Sequence, residues 1–211
     1  MHVSSSLRWR AAVLPGGVLI LLGGPRHPGG TMAQMLAHPD WVLSHTLVLA
    51  GFAALLAGLV LLRGAGPLPP RTTTWLRLGI AATAVQTLEM VLHTLAYVDH
   101  GSLVAGRATP ILSAHLVMAV VAYPLFAAAI IGLIVAGAGE RALGSWWIAP
   151  IGIVGAAAHG LAAPLVVAAG LEQFRVLFPG IALFALWMVI AALLPARGAA
   201  PVRPAAVPAH S

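Results

Sequence analysis

Six apolar runs dominate this sequence, and each is long enough to cross a lipid bilayer. Crossing about 30 Å of hydrocarbon takes roughly 20 residues at the helical rise. Backbone polar groups in hydrocarbon must be paired within their own segment, so such runs form α-helices. The runs are residues 7–24, 41–62, 76–98, 111–137, 146–170 and 176–194. The sequence therefore predicts an all-α, polytopic membrane protein with six transmembrane helices in a single domain, 1–194.

The composition excludes several classes of protein. Charged residues make up 8% of the 211 residues, whereas a soluble domain carries about a quarter. There is no cysteine, which rules out disulfides, thiolate metal sites and cysteine nucleophiles. The basic residues are all arginine and form no stripe interleaved with aromatic residues, so we expect no nucleic-acid partner. The lipid bilayer is the partner that this composition predicts.

The arginines also predict an orientation. With the N-terminus inside, the inner segments carry eight of the eleven basic residues and the outer loops carry three. The inner set is Arg8, Arg10, Arg63, Arg71, Arg77, Arg141, Arg197 and Arg203, and the outer set is Arg26, Arg107 and Arg175. This excess favours a multi-pass protein with both termini cytoplasmic. Composition suggests a bacterial inner (plasma) membrane, and the Pro/Ala-rich residues 195–211 are predicted to be a disordered cytoplasmic tail.

The first run has an alternative interpretation. Arg8 and Arg10 followed by a short apolar core could be a secretory signal peptide. No small-x-small cleavage site follows, because the run ends in Gly-Gly-Pro-Arg at residues 23–26. We therefore favour an uncleaved helix, and whether it is retained or removed stays open.

Five ionisable side chains lie inside the second to fifth runs. They are His45, Glu89, His93, His115 and His159. Such a group in hydrocarbon costs several kcal/mol unless it meets a partner, a cavity or a cofactor. At the helical rise, three of the histidines lie roughly 6–8 Å below the outer surface, while Glu89 and His159 lie on the order of 14–17 Å down. We expect one shared, outward-facing intramembrane site.

The third run carries a polar stripe. Gln86, Glu89, His93 and His100 recur at spacings of three, four and seven, which places them on one helix face. Glu89 and His93 can bind the same metal ion or each other, and Gln86 is expected to support them by hydrogen bonding. Three histidines outside the runs are predicted to line an outer vestibule: His27, His38 and His100.

A faint internal repeat organises the histidines. Residues 44–48 (SHTLV) open the second run, and residues 113–117 (SAHLV) open the fourth. Each is followed by a run with one buried histidine, His93 or His159. The pattern favours a core of helices two to five built as a tandem two-helix repeat, with the first and sixth helices as supports.

Four histidines on four adjacent helices, two per repeat, resemble the six-span, four-histidine membrane b-type cytochromes. The resemblance covers roughly residues 41–170 and is one of architecture. It implies haem b, with His45 and His115 or His93 and His159 as axial pairs, together with electron transport and a redox partner or a homo-oligomer. That family places haems near both membrane faces, whereas these histidines gather in the outer half, so one haem fits better than two.

Other functions remain open at the level of the sequence. His45, His93 and His115 with Glu89 could instead hold zinc, iron or copper, leaving His159 to orient a ligand or substrate. An outer vestibule leading to Glu89 could serve proton- or cation-coupled transport. The polar residues could also do no more than hold the helices in register. Whether the protein is an enzyme is not predicted.

Overall fold

The computed structural model describes residues 3–194, with side chains from Leu7 onward, and this part of the chain contains helices and no strands. The predicted tail, 195–211, lies outside the described residues. The α-helices are α1 (Val3–Gly23), α2 (Met32–Ala37), α3 (Asp40–Gly64), α4 (Pro70–Leu95), α5 (His100–Val104), α6 (Pro110–Gly139), α7 (Ala149–Ala163) and α8 (Gly180–Leu193). Short 3-10 segments occupy Gly24–Arg26, Ala96–Asp99 and Glu172–Leu177, and a π-helical turn occupies Pro164–Ala168.

Among the described residues, six helical segments are long and apolar enough to cross a membrane, which confirms the predicted fold class. They contain α1, α3, α4, α6, α7 and α8. Large apolar side chains cover the outside of the bundle. On α6, Val117, Val121 and Leu125 lie four residues apart and are 71%, 62% and 47% exposed. A single stripe of this kind faces lipid in a membrane helix, since residues at that spacing share one face.

The six long helices form a closed ring. Each packs against the next along the chain, and α8 packs back against α1. The first and last helices therefore complete the ring between α3 and α7. The short helices α2 and α5 lie together across one end, which also holds the starts of α3 and α6; we call it the histidine end. The opposite, terminal end holds the start of α1 and the end of α8.

Glycines bring the helices into backbone contact. A Cβ atom at Gly16 of α1 would lie 2.9 Å from the carbonyl oxygen of Gly51 on α3. Small residues commonly permit such close approach between membrane helices. On α7, a Cβ at Gly155 would collide with the backbone of Phe184, and one at Gly160 with Ala127. The small residues around His159 therefore serve helix packing.

Aromatic side chains fill the middle of the ring. Phe52, Phe126 and Phe184 come from α3, α6 and α8 and have no exposed surface. The ring of Phe126 packs edge-to-face against the other two, with centroid distances of 5.3 Å to Phe52 and 5.4 Å to Phe184. This is a favoured arrangement of aromatic pairs. The centre of the bundle is thus a packed core between its two polar ends.

The bounds of α4 differ from the predicted 76–98. The helix begins at Pro70, because Glu140 at the end of α6 accepts hydrogen bonds from the backbone N–H and the hydroxyl of Thr72, at 2.8 and 2.6 Å. This first turn is polar, so it falls outside an apolar run. The helix ends at Leu95 and continues as a 3-10 segment. His100 therefore lies outside α4, at the first position of α5.

Candidate metal centre

Four imidazoles and one carboxylate meet at the histidine end. They belong to His27, His45, Glu89, His93 and His115, which we call the histidine cluster. The residues come from the segment after α1 and from α3, α4 and α6. His93 lies in the middle, with its ring centroid 4.2 Å from that of His45 and 3.9 Å from that of His115. The tertiary fold therefore brings together His45, Glu89, His93 and His115 as one group.

The first turn of α3 orients His45. Its Nδ1 lies 2.6 Å from the carbonyl oxygen of Trp41, one helical turn earlier. A carbonyl oxygen can only accept, so Nδ1 carries the proton and Nε2 of the neutral ring carries a lone pair. That Nε2 is buried and has no hydrogen-bond partner among the described residues. Metal-binding histidines are commonly held in this way, through the ring nitrogen that does not bind the ion.

His27 has the same arrangement, although it lies in a loop. Its Nδ1 donates to the carbonyl oxygen of Pro28 at 2.9 Å, which leaves Nε2 as the atom with the lone pair. Its ring centroid lies 4.8 Å from that of His45. Loss of water around the ring lowers the pKa of His27, although the residue is exposed as a whole and the hydrogen bond to Pro28 acts in the opposite direction. The neutral form is the one that binds metal ions.

Glu89 is fully buried and hydrogen-bonded through both oxygens. Its Oε1 lies 2.6 Å from Nδ1 of His115, and its Oε2 accepts the Nε2 amide of Gln86 at 2.9 Å. A buried carboxylate needs such partners to offset the loss of water. Nδ1 of His93 lies 3.8 Å from the same Oε1, which is too far for a hydrogen bond. That nitrogen is also buried without a hydrogen-bond partner in the described part of the chain.

Trp41 forms a wall of the cluster. Its ring lies 4.0 Å from that of His45 and 5.4 Å from that of His93, and its indole N–H donates to the carbonyl oxygen of Thr94 at 3.3 Å. The side chain is 2% exposed, whereas Trp147 is 88% exposed. Trp41 is therefore packed inside the protein, against the cluster. Trp41 is not among the site residues predicted from the sequence. Its position four residues before His45 could have indicated its place there, because residues at that spacing share a helix face.

Within the part of the chain that the structure describes, two sets of three side chains could each hold a metal ion. One set is His27, His45 and His93, and the other is Glu89, His93 and His115; within each set the donor atoms all lie within 4.8 Å of one another. Donors around one tetrahedral zinc ion stand roughly 3.3 Å apart, from metal–nitrogen bonds of about 2.0–2.1 Å. Binding would require side-chain movement: donors that lie farther apart would have to approach, and His115 and Glu89, 2.6 Å apart, would have to separate.

His159 occupies a different place. Its ring stacks on that of Tyr123, with the centroids 4.2 Å apart, and lies about 6 Å from the rings of Phe52 and Phe126, at 6.2 and 6.1 Å. Both of its ring nitrogens are buried without a hydrogen-bond partner among residues 3–194. The four histidines predicted to bind a cofactor therefore divide into three in the cluster and one in this aromatic pocket.

The three histidines predicted to line a vestibule lie in different places. His27 is a member of the histidine cluster, as described above. His38 is exposed and accepts the backbone N–H of Asp40 at 3.1 Å, which supports the start of α3. His100 begins α5. Neither belongs to the two sets that could hold a metal ion.

The ring contacts bear on the choice between haem and a metal ion. A porphyrin held by two axial imidazoles must lie between them. His93 and His115 stack directly on each other, and His93 also packs against His45. A porphyrin in the cluster would have to separate these rings, whereas a single ion would fit between their nitrogens.

No family model, no curated protein and no solved structure matches the chain. The class of protein therefore follows from its own fold and site. It is a helical protein of the membrane-spanning type, with buried His/Glu groups that could hold a metal ion.

Proposed function

We propose that this is an integral membrane protein that binds a transition-metal ion in the histidine cluster. His27, His45 and His93 would supply the donor nitrogens, and Glu89 with His115 would stand beside them. One observation carries the proposal: Nε2 of His45 and Nδ1 of His93 are buried at the cluster without hydrogen-bond partners. Each unsatisfied buried polar atom costs about 1–3 kcal/mol. A metal ion bound in the cluster would be a partner for Nε2 of His45, and one bound beside Glu89 would be a partner for Nδ1 of His93.

The donor atoms limit the identity of the ion. Imidazole nitrogens with a carboxylate and no thiolate suit Zn²⁺, Fe²⁺ or Cu²⁺. Three protein ligands with an open fourth position are typical of catalytic sites, whereas structural zinc sites are closed by four. Iron or copper would serve redox chemistry, and zinc would act as a Lewis acid. His27 is exposed at the histidine end, so we infer that a small substrate reaches the ion from that side.

The other candidate functions receive less support. A transported ion would have to pass the packed core at Phe52, Phe126 and Phe184, which are fully buried below the cluster. A network that only fixes helix register would be expected to satisfy its own nitrogens. Haem b stays an untested prediction and would require His93 and His115 to separate. The excess of arginines at the terminal end supports placing the cluster on the extracytoplasmic side of a plasma membrane.

Metal analysis of the purified protein tests this proposal. The protein would be loaded with Zn²⁺ or Co²⁺ in detergent, separated from free ion and measured by elemental analysis and absorption spectroscopy. We expect stoichiometric metal and no Soret band. His45→Ala and His93→Ala should weaken binding by more than the 10–100-fold typical of losing an outer partner. Elution volume on size-exclusion chromatography checks that each variant is folded.

The chain offers matched controls. His38→Ala and His100→Ala remove histidines from the same end without touching the cluster, and both should bind metal as the unaltered protein does. Equal binding by all four variants would refute the proposal. A Soret band that is present in the unaltered protein and lost in His115→Ala would show that the cluster binds haem and not a single metal ion.

A further inference from the structure

His93 belongs to both sets of possible ligands. On one side, its Nδ1 lies 3.8 Å from Oε1 of Glu89, and its ring stacks on that of His115. On another side, its ring centroid lies 4.2 Å from that of His45 and 6.0 Å from that of His27. An imidazole has two ring nitrogens that point in different directions, and each can bind a metal ion. One residue could therefore serve both sets.

We propose that the histidine cluster holds two metal ions bridged by His93. His27 and His45 would complete the ligands of one ion, and Glu89 and His115 those of the other. This inference rests on the proposed function, because it presupposes that the cluster binds metal. Each ion would then have three protein donors and one open position, the arrangement found in catalytic zinc sites.

The charges and protons of the cluster are compatible with two ions. Glu89 supplies one negative charge. His93 supplies a second when it binds through both nitrogens, since it must then release its ring proton to solvent. The two ions would lie among mostly buried side chains, where attraction to these anions is stronger than in water. His115 donates its Nδ1 proton to Glu89 at 2.6 Å, so an ion bound between them would break this hydrogen bond, and the proton would move to Nε2 of the same neutral ring.

The number of bound ions tests the bridge. The protein, loaded with Zn²⁺ or Co²⁺ and freed of excess ion, should retain two ions per chain. His27→Ala should remove one and His115→Ala the other, while His38→Ala and His100→Ala should keep both. His27 is exposed and lies in a loop, so its variant is expected to fold normally. One ion per chain that is lost in His27→Ala would overturn the bridge and leave the proposed function intact. No bound ion at all would overturn both.

A magnetic measurement gives an independent answer. Two Cu²⁺ ions joined by one imidazolate are coupled, so the integrated electron paramagnetic resonance signal falls below the total copper content. His27→Ala, with a single ion in the cluster, should show the full signal for its copper. A full signal from the unaltered protein carrying two copper ions would contradict a shared ligand.

Discussion

Several hydroxyl groups inside this bundle donate to backbone carbonyl oxygens, whereas several ring nitrogens have no partner among the described residues. The hydroxyl of Thr94 donates to the carbonyl oxygen of Met90 at 2.7 Å, that of Thr87 to Thr83 at 2.7 Å, and that of Ser44 to Gly23 at 3.0 Å. These residues are satisfied by the backbone, as is common for serine and threonine in helices. Nitrogens of His45 and His93 have no hydrogen-bond partner among the described residues, and neither do the Thr83 hydroxyl and the two ring nitrogens of His159, which lie outside the cluster. What distinguishes the candidate site is that its unpaired nitrogens lie close to other possible metal ligands.

Replacing Gln86 tests whether its hydrogen bond to Glu89 contributes to metal binding. Gln86→Met keeps the size of the side chain but leaves Oε2 of Glu89 without its donor at 2.9 Å. We expect the affinity for Zn²⁺ to fall by about 10–100-fold, as for other partners of metal ligands. Competition with a chromophoric chelator measures this. Thr87→Val, one residue away and bonded only to its own helix, is the control and should bind as before. If the two variants bind equally well, the hydrogen bond from Gln86 to Glu89 does not support metal binding.

At this scale, spacing along the sequence was informative within one helix only. Gln86 and Glu89 were predicted to share a face from their separation of three, and they do. The nearness of His27 to His45 depends on how the chain turns after α1, which no local periodicity encodes. His27 was therefore predicted to line a vestibule, and the structure places it against the cluster itself.

Among the elements, α4 carries most of the polar chemistry on its inward face. Glu140 accepts a hydrogen bond from the first turn of this helix. In its last third, Glu89 contacts His115 of α6 and His93 contacts His45 of α3. A carboxylate at the start of a helix accepts N–H groups that have no partner within the helix. Glu140 therefore connects α6 to α4 at the terminal end, just as the hydrogen bond between His115 and Glu89 connects them at the other.

The contribution of Glu140 to stability should depend on pH. The hydrogen bond from the Thr72 hydroxyl is the main cause that lowers the pKa of Glu140 below its ordinary value of 4.5. A carboxyl whose pKa is lowered on folding stabilises the fold above its unfolded pKa, and loses that effect as the pH falls through the folded value. Thermal unfolding of Glu140→Gln should therefore occur at a lower temperature than that of the unaltered protein at neutral pH. The gap should narrow below about pH 4.5.

Intrinsic tryptophan fluorescence in detergent follows that unfolding. A gap that stays constant down to the lowest accessible pH would mean that the ionised carboxylate contributes nothing. Glu172→Gln is a suitable control, because this exposed residue pairs with Arg175 in a connecting segment and caps no membrane helix.

At the level of the whole molecule, the closed ring explains why one end can be polar and the centre dry. Glycines at the contact of α1 with α3 and of α7 with α8 draw the helices together, and the phenylalanines fill the space that remains. The histidine end is also covered by α2 and α5. Asp99 is buried there and accepts the backbone N–H of Leu112 at 2.8 Å, which fixes the start of α6 beside the cluster.

The predicted orientation can be tested because the chain has no cysteine. Ser102→Cys places a thiol at the histidine end, and Ser145→Cys places one at the terminal end; both changes preserve side-chain size. If arginines keep the terminal end in the cytoplasm, a membrane-impermeant thiol reagent should label Ser102→Cys in intact cells. Ser145→Cys should be labelled only after the cells are broken. The reverse pattern would place the cluster on the cytoplasmic side.

The sequence by itself determined the six spans, because apolar length and backbone hydrogen bonding leave hydrocarbon-crossing segments no structure but the helix. It also determined that Glu89 and His93 project from one face of α4. Only the tertiary structure decided that His27 and Trp41 join them and that His159 lies apart among aromatic rings. Those outcomes depend on which helices are neighbours and how their ends turn. Contacts between helices depend on the shapes of the surfaces that pack together. The periodicity of residues within one helix does not predict those contacts.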